Sequence, residues 1–101
     1  MAKRNIPAGM VACGFQTLSL SNSTASGLNT TCIVGKFFHL SVETNDCRYR
    51  ADGTSPALTT GVLLKKDLEH WLMDIPGSTL KFQRATGTTK ISIMSYKYKG
   101  E

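Results

Sequence analysis

Side chains able to do chemistry are few in this chain and widely spaced. The two histidines, His39 and His70, are far apart, and neither belongs to a close-spaced pair of His or Cys ligands. A metal site needs several such ligands brought together, usually with one close pair, so no metal ligand is assigned. Asp67, Glu69 and His70 sit close enough for acid–base work, but no Ser, Cys or Thr stands in a nucleophile motif to use them. An exposed, charged strand edge or loop explains them better. Neither GxGxxG nor GKS/GKT occurs, so no nucleotide cofactor is expected. Cys13, Cys32 and Cys47 form an odd set without a CxxC and read as reduced, mostly buried thiols.

The residues with recognition chemistry are basic and aromatic. In Arg48-Tyr49-Arg50 strand alternation sends both guanidiniums to one side and Tyr49 to the other. Arginine makes planar, bidentate bonds to carboxylates and phosphates, so the pair could grip an acidic protein surface or a nucleic acid backbone. The same arginines could instead pair with Asp46 and Asp52 and hold a hairpin. Tyr96-Lys97-Tyr98-Lys99 interleaves aromatic and basic residues, a pattern shared by base-stacking platforms and by lysine-protected edge strands. Lys3 and Arg4 near the start add charge, and Trp71 is either a contact or a core aromatic.

These residues must be positioned by strands. Met10–Leu20 alternates through Val11, Cys13 and Phe15, then carries Leu18 and Leu20 past a phase change that predicts a bulge near Gln16 or Thr17. Ser21–Asn29 reads as a polar surface loop. Thr31–Val34 and Lys36–Val42 are β-branched and aromatic, Cys47–Arg50 alternates strictly, and Asp52-Gly53 is a strong turn signal. Leu58–Leu64, Leu68–Met73, Thr79–Arg84 and Lys90–Tyr98 complete the set. The spacing of Leu68, Trp71 and Leu72 also fits a helix, but two turns are too short beside so much strand periodicity. The expectation is an all-β chain: one antiparallel β-sandwich or jelly-roll-like barrel of seven or eight short strands, spanning 10–98, with an N-terminal arm over 1–9 and a tail over 99–101.

At 101 residues and 41% hydrophobic content the chain is one small domain. A domain of this size buries only roughly 60–65% of its unfolded surface, so a large internal substrate cavity would compete with the core. The reading is therefore non-enzymatic. No apolar run reaches membrane-spanning length and the start lacks a signal-peptide core, so synthesis in a cytosol and no membrane partner are expected. Twelve Lys and Arg against seven Asp and Glu give a net charge of +5, which favours anionic partners.

The stretch Ser41–Pro56, with its RYR-A-DGT-S-P corner, resembles a group of small proteins encoded by tailed bacteriophages and prophages. Gly61-Val62-Leu63-Leu64, Phe82-Gln83-Arg84-Ala85-Thr86-Gly87 and Ile91–Tyr96 extend the resemblance across most of the chain. Cys47 stands where that group usually has an aliphatic residue, and Lys65-Lys66 with His70-Trp71 make the middle more basic and aromatic. The resemblance implies a virion component: a capsid decoration or cement protein that clamps major capsid subunits, or a part of the tail or head-to-tail connector. It further implies the major capsid protein and copies of the chain itself, as a dimer or trimer on the shell, as partners. Lys3, Arg4, Arg48, Tyr49, Arg50 and Trp71 are the expected contacts. The rival is a small basic nucleic-acid-binding β-barrel stacking bases on Tyr49, Tyr96 and Tyr98.

Overall fold

The computed structural model describes residues 9–21 and 25–100. Lys3 and Arg4, with the arm they belong to, lie outside the described residues, as do 22–24 of the polar loop and residue 101. Among the described residues eight strands are formed: β1 (Met10–Leu20), β2 (Ser26–Gly27), β3 (Phe37–Glu43), β4 (Cys47–Arg50), β5 (Val62–Leu64), β6 (Glu69–Met73), β7 (Lys81–Arg84) and β8 (Thr89–Tyr98). They make two antiparallel four-stranded sheets of order β1-β8-β3-β6 and β2-β7-β4-β5. The sheets stack as a β-sandwich and do not close into a barrel.

Period-two alternation decides what lies between them. Phe38, Leu40 and Val42 of β3, Ile91 and Ile93 of β8, and Leu72 of β6 face inward from the first sheet, meeting Cys47, Leu64, Leu80 and Phe82 from the second. Removing each such Leu, Ile or Phe from water is worth about 1.5–3 kcal/mol. Residues 69–73 form a strand, as their surroundings predict, because Phe37–Ser41 offers a partner edge through the pairs Phe38↔Leu72 and His39↔Trp71.

Four local expectations are corrected. Ser26 and Gly27, inside the stretch read as a polar loop, form β2 and pair with Phe82 and Lys81. The bulge of β1 falls between Ala12 and Gly14 rather than near Gln16, so Phe15 turns outward while Gln16, Leu18 and Leu20 share the inner phase. A glycine is required there, since a Cβ on Gly14 would lie 2.8 Å from the Thr31 carbonyl carbon. Residues 31–34 form turns rather than a strand. Asn29 causes this: its Oδ1 accepts from the Thr31 and Cys32 amides and the Thr31 hydroxyl, and its carbonyl accepts from the Ile33 amide. A side chain that satisfies backbone donors locally outcompetes strand pairing. Finally, only 62–64 of the 58–64 run pairs as strand. Leu58 belongs to a turn in which Ala57 and Thr60 exchange backbone hydrogen bonds.

The turn at 30–35 is tied to β8 and to the 76–80 segment. Ser95 Oγ donates to the Cys32 carbonyl at 2.9 Å, Lys36 N to the Tyr96 carbonyl at 2.9 Å, and Gly77 N to the Gly35 carbonyl at 3.2 Å. A Cβ on Gly77 would stand 2.4 Å from the Ile33 carbonyl oxygen, a rigid backbone neighbour. Gly77→Ala is therefore expected to cost about 1–3 kcal/mol in urea or thermal unfolding, whereas Ala at the neighbouring, exposed Ser78 should change stability by less than about 0.5 kcal/mol.

Candidate interaction surfaces

Arg48 and Arg50 do share one side of β4, with Cys47 and Tyr49 on the other. Both are occupied within the chain. Arg48 Nε donates to the Leu58 carbonyl at 2.9 Å and its Nη1 to the Gly61 carbonyl at 3.0 Å, so the guanidinium ties the 57–61 turn to β4. Arg50 makes a two-pronged pair with Asp52, through Nε to Oδ1 at 3.2 Å and through Nη2 to Oδ2. Asp52 Oδ1 also accepts from the Thr54 amide, which shapes the DGT turn. The hydrogen bond from Arg50, followed by that from Thr54, holds the Asp52 carboxyl below its ordinary range. The arginines thus brace the corner. Asp46, the other acid proposed as their partner, instead accepts from the Lys66 amide and lies 3.4 Å from Lys65 Nζ.

Tyr49 packs against the core and lines an open cleft of about 390 Å³ with Arg50, Ala51, Asp52, Thr60, Gly61 and Val62. The cleft lies at the end of β5, the outermost strand of the second sheet. Its floor is apolar, and its charged groups already pair with each other.

The broader surface is the outer face of the first sheet, where the register builds two apolar rows across all four strands. One row runs Phe15, Met94, His39, Trp71, and the next runs Ala12, Tyr96, Phe37, Met73. Tyr98 stands beyond them, its ring edge-on to Phe37 at 5.4 Å and 5.9 Å from Lys36 Nζ. Trp71 lies between His39 and Tyr96, with ring centroids 5.0 and 5.7 Å away. Of the two roles foreseen for Trp71, this placement is outside the core. Phe15 and Met73, at the two ends of the rows, are 57% and 56% exposed. Farther along the strands the rows turn polar: Thr17, Ser92, Ser41, Glu69, then Ser19, Lys90, Glu43. His39 Nε2 is buried at this boundary, 3.3 Å from Glu69 Oε1 but without hydrogen-bond alignment.

Sequence reasoning placed Trp71 among the contacts but missed Phe15, Phe37, Met73 and Met94. The signal was present: Phe37-Phe38, Trp71-Leu72-Met73 and Ile93-Met94 are apolar in both strand phases, as strands covered on two faces are. The three tyrosines of the base-stacking alternative are not brought together. Tyr49 lies on the inner side of the second sheet, whereas Tyr96, itself buried, and Tyr98 lie on the outer side of the first. Among the described residues no three His, Cys, Asp or Glu gather where they could hold a metal ion, and all three cysteines are free thiols. Burial raises the Cys32 thiol and pushes Cys47 up to about 12.

No family model, curated protein or solved structure matches this chain.

The two arginines should separate on mutation. Arg48→Ala, which strands two turn carbonyls beside β4, is expected to lower unfolding free energy by about 1.5–3 kcal/mol. Arg50→Ala, at a solvent-exposed pair, should leave the urea midpoint close to that of the parent.

Proposed function

We propose that this chain is a non-enzymatic structural protein of a phage particle, a capsid decoration protein that docks on the shell through the outer face of the β1-β8-β3-β6 sheet. The observation that carries the reading is the pair of apolar rows on that face. Aromatic and apolar groups aligned across one outer face, half-buried along the rows and open to water at Phe15 and Met73, mark a contact surface on a small domain, and Trp, Tyr, Phe and Met are among the residues enriched at interfaces. The phage-like RYR-A-DGT-S-P corner supports the choice of partner: subunits of the major capsid protein. Within the reading, Arg48 and Arg50 keep the corner rigid, and the rows on the other sheet supply the adhesion.

Stabilisation follows from number. A stiff domain that touches neighbouring subunits adds buried area at each junction, and many copies acting together raise the barrier to shell disruption. The chain's net charge of +5 speeds encounter with an acidic shell more than it strengthens the docked state.

The test is the copy number in purified particles combined with a surface variant. A copy number comparable with that of the major shell protein supports decoration, and one matching a single tail or connector ring overturns it. Met73→Lys alters an exposed row end without touching the core, so the domain should fold normally while occupancy on the shell falls about tenfold or more. Undiminished occupancy would remove the outer face as the docking surface.

A further inference from the structure

The four strands that border the two sheets differ in how they are protected. β2 has two residues and β5 three. β6 has five, contains Glu69 and is separated from Lys65-Lys66-Asp67 by Leu68 alone. β1 runs eleven residues, Met10–Leu20, with no charge and no proline. One side of β1 pairs with β8 over its whole length. Among the described residues no strand pairs with its other side, and no backbone hydrogen bond reaches it from a loop. Among the described residues, the hydrogen bond made to β1 from the neighbouring turn, Asn29 N to Gln16 Oε1, uses a side chain. Unpaired strand edges are templates for another strand, and proteins blunt them with charge, proline, bulges or short length. Here the bulge alone is present, between Ala12 and Gly14, and it leaves Gly14–Leu20 regular.

We propose that Gly14–Leu20 is the contact between two copies of this chain, the two β1 strands pairing antiparallel about a two-fold axis at Thr17. Antiparallel pairing of a strand with itself is self-complementary, so one surface suffices. The axis at Thr17, the middle of the regular stretch, keeps both bulges outside the pairing. It sets Thr17 opposite Thr17 of the second copy and Phe15 opposite Ser19 of the second copy on the outer face. Gln16 then faces Leu18 of the second copy on the inner side. The Thr–Thr pair is a favourable cross-strand contact, and Phe15 reaches the β-branched Thr17 of the second copy diagonally. The two first sheets become one of eight strands.

Charge selects this edge. Two copies of a chain with a net charge of +5 repel each other, and β1 is the one long border where no charged strand residue would face its counterpart. A seven-residue edge buries less than the roughly 800 Å² per partner of a standard interface, so the dimer is weak in solution and fills when copies are held side by side on a surface. The inference does not depend on shell docking, since it concerns the free protein.

Sedimentation equilibrium of the full chain tests it, with a concentration-dependent monomer–dimer equilibrium expected. Thr17→Lys sets two like charges opposite each other and should weaken association about five- to tenfold, with an unchanged circular dichroism spectrum. Met73→Lys, remote from the edge, should leave association intact. Under copper-catalysed air oxidation Thr17→Cys should cross-link readily between copies. Ser19→Cys should not, because equivalent residues there stand about 13 Å apart, beyond disulfide reach. A monomer at all concentrations up to about 1 mM, an unaltered equilibrium in Thr17→Lys, or equal cross-linking at 17 and 19 would overturn the proposal.

Discussion

The pairing of β3 with β8 is the interaction on which the rest of the structure depends. Its register, Phe37↔Tyr96 through Glu43↔Lys90, joins the two central strands of the first sheet and assigns every paired residue of both to a face. Phe38, Leu40, Val42, Ile91 and Ile93 point into the core in that register. A slip of one residue would bring Ser92 and Met94 inside and put Ile91 and Ile93 in water, at a cost of several buried side chains. The strands outside are then aligned by what β3 and β8 present: β6 along β3, β1 along β8. The outer apolar rows are a consequence of the same register, because His39 and Met94 are neighbours only when Leu40 and Ile93 are.

Much of this was legible in the sequence because alternation reports faces directly. The strand character of 10–20, 37–43, 47–50, 69–73, 81–84 and 89–98 follows from period-two patterning and β-branched or aromatic residues. What escaped depended on side chains reaching across the fold. Asn29 converts the strand-like Thr31–Val34 into turns by bonding amides two and three residues ahead. The bulge sits at Cys13 because Gly14 must pass under Thr31, a contact no local pattern records.

The candidate sites were legible to a different degree. The common face of Arg48 and Arg50 followed from spacing, and the Arg50–Asp52 pair was one of the two readings open to it. Arg48 could not be assigned from sequence, since its acceptors are the Leu58 and Gly61 carbonyls, whose positions are set by a turn ten and thirteen residues away. The corner is rich in charge, but its charges are satisfied internally. The unsatisfied surface is apolar, and it lies on the opposite sheet.

Trp71, the single tryptophan of the chain, sits half-buried within the apolar rows and reports on them directly. The proposed shell docking is tested most directly by Trp71 fluorescence when the purified protein is added to capsid shells that lack it. Docking through the outer face covers the indole, so the emission should shift to shorter wavelength and become resistant to quenching by iodide or acrylamide. Binding with unchanged emission and quenching would contradict docking through the outer face.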